Sequence, residues 1–260
     1  MEHFPEAQWT AIILAGQRPG TDPLAEHFGT EWKALIEVGG QPMISRVLKT
    51  LRKVSTIRHI VILGQSPEVA VPFLSDDGRT SYRQSGQSIS NSILAIAGSE
   101  AAPWPVLITT ADHPLLTPEM VESFIAASTA DVSVAMVERK SMLARFPESK
   151  RTWLKFSDGA WSGANLFALR GEAAKSALML WADAEKDRKQ AFKLFWHFGP
   201  LLALRAISRT ISLRGALAKG GRRISVNAQL VPLTDPCAAI DVDKLSDHQL
   251  VERILRERGA

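Results

Sequence analysis

Four short apolar runs organise the first half of the chain, separated by amphipathic or polar stretches. They are WTAIILA (9–15), HIVILG (59–64), PVLITTAD (105–112) and DVSVAMVE (131–138). Each is continuous rather than alternating, the pattern of a strand buried on both faces. Between them, MISRVLKTLRKV (43–54) and SISNSILAIAG (88–98) carry apolar residues at helical spacing. TPEMVESFIAAST (117–129) opens with a threonine cap followed by proline. Strands alternating with helices predict an α/β fold with a mostly parallel sheet covered by helices on both faces.

After residue 138 the pattern changes. KSMLARFPESKRTWLKFSDG (140–159) reads as a polar excursion with a hairpin, and SGANLFALRG (162–171) as a further strand. Residues 171 to about 222 read as helices, RRISVNAQLVPL (222–233) and CAAIDVD (237–243) as strands, and SDHQLVERILRERG (246–259) as a closing helix. If the late strands rejoin the first sheet, residues 1–260 form a single domain with a helical insertion at about 171–222. Hydrophobic residues make up 45% of the chain and charged residues 22%, an ordinary globular balance. The net charge of +4 suits anionic partners without choosing among them. Cys237 stands alone and cannot form an internal disulfide. No signal peptide is visible, and LFWHFGPLLAL (194–204) falls short of the roughly 20 residues that a membrane span needs. A soluble, cytoplasmic protein is expected.

Ligands of open parallel sheets bind beyond the carboxyl ends of the strands, and three such ends carry chemistry. In AIILAGQRPG (11–20), Ala15 and Gly16 let main-chain N–H groups approach phosphate oxygens, Arg18 offers a forked cation, and Lys33 supplies a point charge after a long loop. A plain strand-to-loop turn is the alternative. GxGxxG and GxxxxGK[ST] are both absent, against a nicotinamide enzyme and a P-loop enzyme. In ITTADHPLL (108–116), Asp112 ends a buried strand and can hold Mg²⁺ while leaving positions for phosphate oxygens; its other reading is a turn cap before Pro114. In AIDVDKLSD (239–247), Asp241 and Asp243 lie two apart on an expected strand and face one side, while Asp247 belongs to the first turn of the closing helix.

Leu-Ala-Gly with its Arg and Lys, then Ala-Asp-x-Pro, then Ile-Asp-Val-Asp before the last helix, resembles the MobA-like NTP transferases. These include the molybdenum cofactor guanylyltransferases and are related to the cytidylyltransferases of isoprenoid and polyol-phosphate synthesis. The resemblance implies a Rossmann-like three-layer α/β/α fold and an Mg²⁺-dependent nucleotidyltransferase. Such an enzyme moves an NMP group from an NTP, GTP or CTP, to a phosphorylated small-molecule acceptor and releases pyrophosphate. Leu14, Ala15, Gly16 and Arg18 would then hold the triphosphate, with Gln17 in the same turn, and Lys33 would follow the α-phosphate. Ser88-Ile89-Ser90-Asn91 would meet the base, Asp112 with Asp241 or Asp243 would bind the metal, and Asn165 would touch the acceptor. Arg18 and Lys33 take the catalytic roles. The chain departs from the family pattern in two ways. Gln17 stands where a second glycine is usual, and sixteen residues (17–32) separate Gly16 from Lys33. Both bear on which base and acceptor are used rather than on the general activity.

The insertion is basic. Lys186, Arg188, Lys189, Lys193, Arg205, Arg209, Arg214, Lys219, Arg222 and Arg223 face only Asp187, with Phe192, Phe195, Trp196 and Phe198 interleaved. Three readings stay open: a helical hairpin packed on the sheet, a lid over an anionic acceptor, or a peripheral contact with anionic lipid. No nucleic-acid motif is present, and no nucleic-acid partner is expected. A non-catalytic nucleotide-binding module and a glycosyltransferase-like enzyme using a nucleotide sugar remain as alternatives. The latter normally shows two aspartates flanking one residue where this chain has Ala-Asp-His-Pro.

Overall fold

A computed structural model describes residues 8–17, 20–73, 78–86, 88–186 and 200–259. Its main sheet has eight strands: β1 (Trp9–Leu14), β4 (Ile57–Gly64), β5 (Thr80–Gln84), β6 (Val106–Thr110), β7 (Val132–Glu138), β8 (Leu154–Phe156), β9 (Gly159–Leu169) and β10 (Ala228–Pro232). The order across the sheet is β10-β7-β9-β6-β1-β4-β5, with β8 paired to β9. A separate two-stranded ribbon is formed by β2 (Glu37–Val38) and β3 (Gln41–Pro42).

The strand pairs β1–β4, β1–β6, β4–β5 and β7–β10 are parallel, and β9 runs antiparallel to β6, β7 and β8. The mostly parallel sheet read from the apolar runs is therefore present. In 140–159, however, residues up to Arg145 are helical and β8 alone is strand, pairing with β9, the strand expected at 162–171, instead of forming a hairpin within the segment. β10 returns beside β7 after the helical stretch. The segment 237–243 is not a strand. Pro236 follows an Asp235 cap that accepts from Cys237 N–H, which sets a 3-10 turn over Pro236–Ala239. Residues 240–243 then run outside the ladder.

Alternation along β1 assigns the layers. Trp9, Ala11 and Ile13 join one buried cluster with α2 (Met43–Lys53), α4 (Pro118–Ala127) and the closing helix α9 (Leu245–Glu257); Ile12 joins a second with α3 (Ile89–Ile96) and α6 (Lys175–Lys186). Three layers result. The remaining helices are α1 (Pro23–His27), α5 (Arg139–Arg145), α7 (Pro200–Ile207) and α8 (Leu213–Arg223). Helices thus fill the described parts of 171–222, and residues 187–199, with their aromatics and Lys189 and Lys193, lie outside the described residues. Caps explain the boundaries. Thr117 accepts from Met120 N–H with Pro118 at the first helical position, and Ser88 accepts from Asn91 N–H.

The sequence order of the parallel strands creates the site. From β1 the chain adds β4 and then β5 on one side, and returns to place β6 on the other. The order reverses between β1 and β6, where adjacent carboxyl-end loops diverge and leave a crevice.

Phe124 is fully buried in the larger cluster. Phe124→Ala should lower the unfolding free energy by about 3–5 kcal/mol, seen as a lower denaturant midpoint at unchanged slope.

Candidate functional site

At the switch point, register brings the two decisive loops together. Leu14 pairs with Leu63 on one side and Thr110 on the other. Just beyond, Ala15 N–H donates to Leu63 O and Ala111 N–H to Leu14 O, both at 2.9 Å. The Ala15–Gly16 turn and the Ala111–Asp112 turn therefore emerge side by side. The third segment is tied to them by Val242, whose N–H donates to Asp112 O at 2.9 Å while its side chain is fully buried. On either side of this buried anchor, Asp243 lines the cleft and Asp241 lines an adjoining cavity. Asp247, in the first turn of α9, accepts from the N–H groups of Asp243 and Lys244 at 3.2 Å each and fixes that end.

Lys33 closes the cleft from the long loop. Asp22 caps α1 by accepting from Leu24 and Ala25 N–H. Gln17 spans the loop's ends, its Nε2 donating to Glu31 O at 3.0 Å and its Oε1 accepting from Lys33 N–H at 3.2 Å. Gln65 holds the Gln17 backbone by a reciprocal pair, accepting from its N–H and donating to its carbonyl. So anchored, Lys33 Nζ donates to Asp112 Oδ2 and Asp243 Oδ1, each at 2.6 Å. The Lys33 and Asp112 side chains are 16% and 20% exposed and that of Asp243 66%, so the Asp112 pair is the better shielded from solvent. Burial pulls the Lys33 pKa down, but Asp112, and after it Asp243, more than reverse this, and the pKa is raised. Lys33 is a fixed cation at every physiological pH.

These residues line a cleft of about 690 Å³ with Leu14, Ala15, Gly16, Gln17 and Ile89, within the usual size of a small-molecule pocket. Nothing inside the described chain demands glycine at 16. A Cβ there would meet Gln65 Oε1 and Ser85 Oγ at 3.4 and 3.5 Å, ordinary contacts. Asp112 Oδ1 is buried and has no hydrogen-bond partner among the described residues. Among those residues no group of three or more His, Cys, Asp or Glu could hold an ion unaided. Mg²⁺ commonly takes one or two carboxylates and completes its shell with phosphate and water. Asp112 and Asp243 fit that requirement.

The structure parts the two late aspartates. Asp241 accepts from Arg151 Nη2 and, at 2.9 Å, from Asn165 Nδ2. Burial raises its pKa, yet Arg151 and Asn165 outweigh that and hold it below the usual carboxylate range. Its lone pairs serve a structural ion pair, whereas Asp243 shares Lys33 with Asp112. Because 237–243 is a turn followed by chain outside the sheet, the strand assumed for this pair is replaced by the Val242 anchor. Asn165 reaches Asp241 from an irregularity in β9, where the register against β7 shifts between Val134 and Met136. Its φ of +49° is a left-handed value that asparagine tolerates. Arg151, Asn165, Asp241 and Asp243 line an adjoining cavity of about 400 Å³, which meets the first at Asp243.

Other expected residues lie elsewhere. Arg18 is outside the described residues. Ser88 and Asn91 sit at the start of α3, where Ile89 rather than either of them lines the cleft. Ser88 Oγ donates to Glu185 of α6 at 2.9 Å, and the same carboxylate accepts from the hydroxyl of Ser90 at 2.5 Å and from Ile89 and Ser90 N–H at 3.2 Å. Glu185 and Arg151 were not foreseen, since each is one charge in a segment without a motif; the serine pair is the one hint toward Glu185. His113 is 1% exposed, and burial lowers its pKa. Burial pushes the Cys237 thiol up to about 11, which keeps it protonated and non-nucleophilic.

The MobA-like NTP transferase domain profile matches residues 11–224. The chain belongs to the MobA-like NTP transferase family. A solved hypothetical transferase from Thermus thermophilus is 29% identical, with a TM-score of 0.76 over 93% of this chain and 99% of that one. The fold is shared at lower identity with a 4-diphosphocytidyl-2C-methyl-D-erythritol synthase from Anaerococcus prevotii (13% identity, TM-score 0.57, 96% and 99% of the two chains). It is shared also with a CMP:2-keto-3-deoxy-manno-octonic acid synthetase solved with CTP (12% identity, TM-score 0.58, 96% and 100%). A 3-deoxy-manno-octulosonate cytidylyltransferase from Geobacter metallireducens is 25% identical over 111 residues, 43% of this chain and 44% of that relative's length. The chain is thus a member of a nucleotidyltransferase family, with the α/β fold of its structural neighbours.

Asp241 contributes to stability as a carboxylate whose pKa is depressed in the fold. That contribution is present above the ordinary value of 3.8 and is lost as pH falls through the lower folded value. Asp241→Asn should therefore flatten the acid limb of the stability–pH curve below about pH 4. Parallel acid limbs in urea titrations of parent and variant would contradict the pairing.

Proposed function

We propose that this protein transfers a nucleotidyl group from an NTP to a phosphorylated small molecule and releases pyrophosphate, with Mg²⁺ as cofactor. The observation that carries this reading is the cleft at the switch point, where the glycine turn, Lys33, Asp112 and Asp243 converge. An acceptor phosphate oxygen would attack the α-phosphorus in line, forming a new P–O bond. The bond to the bridging oxygen of the β-phosphate breaks, and its electrons leave with pyrophosphate. The attacking oxygen is already anionic, so no general base is needed, and Lys33, held protonated, could not serve as one.

The chain's own groups supply position and positive charge. Ala15 N–H is taken by Leu63 O and Gln17 N–H by Gln65 Oε1, so it is Gly16 N–H that would face the phosphates, and glycine at 16 admits a ligand where a side chain would stand. Lys33 exchanges its exposed Asp243 partner for a phosphate oxygen and stays tethered to Asp112. Asp112 and Asp243 would hold Mg²⁺, which when bound offsets phosphate charge. The adjoining cavity would seat the acceptor beside Asn165 and Arg151, and Arg18 would add a cation from the same turn. Each proposed role is compatible with a single domain, because β10 rejoins β7 after the helices. The lone, protonated Cys237 accords with work in the cytoplasm. CTP is the nucleotide that the relatives' names favour, and the family resemblance keeps GTP beside it.

A thermal-shift screen of the four NTPs with Mg²⁺ should single out one base, since a ligand at about 100 times its Kd adds about 2.7 kcal/mol to the folded state. No shift with any of the four would remove the reading. Pyrophosphate release with a phosphorylated acceptor then separates an enzyme from a binding module. Lys33→Ala should reduce turnover about 10²–10³-fold at saturating substrates, the scale of losing one preorganised donor to a developing charge. Near-parental turnover would contradict the role of Lys33.

A further inference from the structure

Helix α7 is apolar on two opposite sides. Its sequence, PLLALRAI, holds one charged residue. On the inner side Leu202 and Ala206 help line a cavity of about 310 Å³ shared with Leu180 of α6, Leu213 and Leu217 of α8 and Val134 of the sheet, and no charged side chain lines it. On the outer side Leu201, Leu204 and Ile207 are 68%, 63% and 60% exposed. Residues three apart share a side of a helix with about 3.6 residues per turn, so these three form one ridge. A helix that is apolar all round belongs in an apolar surrounding.

Along the chain through α7 and α8 the charge has one sign, and the acidic neighbour at the start of α8, Asp158, accepts from Leu213 N–H at 2.9 Å. No acidic residue occurs between Asp187 and Asp235. Arg209, Arg214, Lys219, Arg222 and Arg223 are all exposed, in the turn after α7 and along α8. On α8 the buried positions Leu213, Gly220 and Gly221 occupy the other arc of the helix. Three partners could meet such a surface. A second copy of the chain would bring these cations against themselves. A nucleic acid would satisfy the cations but leave the leucines in water. An anionic bilayer satisfies both.

We propose that α7 and α8 form a membrane-surface contact, with the Leu201–Leu204–Ile207 ridge entering the head-group region of an anionic bilayer and the cations of 209–223 meeting its phosphates. No described helix is long and apolar enough to cross a membrane, so α7 lies in the interface plane. The contact stands apart from the transfer reaction and does not depend on it.

The test is sedimentation of the full chain with phosphatidylglycerol and with phosphatidylcholine vesicles at low and high salt. The parent should bind phosphatidylglycerol, bind phosphatidylcholine weakly, and lose binding as salt rises. The triple variant Leu201→Ser, Leu204→Ser, Ile207→Ser changes exposed positions only; circular dichroism should match the parent. Its partition should fall at least about tenfold, because apolar burial and charge attraction act together. Absence of parental binding at low salt, or equal partition of parent and variant, overturns the proposal. A concentration-dependent dimer that the variant abolishes assigns the ridge to a second copy instead. Parent and variant binding duplex DNA alike, with neither retained by vesicles, assigns the cations to nucleic acid.

Discussion

One ammonium between two carboxylates holds the cleft together before any ligand arrives. Lys33 comes from the loop after β1, Asp112 from the end of β6, and Asp243 from the segment before the last helix. Without a cation there, two acids fixed by Val242 and Asp247 would face each other at the rim of a partly buried pocket, an arrangement that raises the energy of both. The two contacts are equally short but differ in shielding. An exposed ion pair contributes little and is readily exchanged, while a half-buried one resists separation. The bridge therefore has a firm side at Asp112 and a replaceable side at Asp243, which suits a site built to admit an anion.

What patterning revealed and what it hid follow from burial. β1, β4, β6 and β7 are covered on both faces, so their apolar runs are continuous and easily read. β5, TSYRQ, lies at the sheet edge with only Thr80 buried, and it left no apolar run to find. The direction of β9 is equally invisible, because a strand between two neighbours is apolar whichever way it runs. CAAI misled for a local reason: Asp235-Pro236 starts a turn that four small apolar residues can follow. In the site, the place of Asp112 was legible because it directly follows the apolar run that forms β6, and strand ends of such sheets meet at the cleft. Arg151 was not, since one arginine in a polar excursion carries no spacing to read. The choice between Asp241 and Asp243 depended on partners 90 and 210 residues away in the chain, which no local pattern contains.

Gln17 joins the departure in sequence to the departure in loop length. A glycine at this position would have no side chain to reach Glu31 or the backbone of Lys33. Closing a loop costs entropy that grows slowly with its length, so sixteen residues are affordable if the far end is fastened. The Gln17 amide provides that fastening, using its donor on residue 31 and its acceptor on residue 33, and Gln65 secures the Gln17 backbone in turn. The two departures from the family pattern are one solution to placing Lys33.

Glu185 links the same cleft to the basic helices. Burial raises the pKa of its carboxyl group, but the hydrogen bonds from Ser90, Ser88 and Ile89 win and lower it, so it stays ionised. An anion at a helix N-terminus is favoured by the unpaired N–H groups and the aligned peptide dipoles, and here two hydroxyls reinforce it. α6 is thus fastened to the start of α3, whose Ile89 forms part of the cleft wall. Displacing α6 relative to α3 would strand an ionised carboxylate and the first N–H groups of α3 at once. Strain on α6 from the helices that follow would reach the cleft wall through this carboxylate together with the apolar packing of α6 on α3.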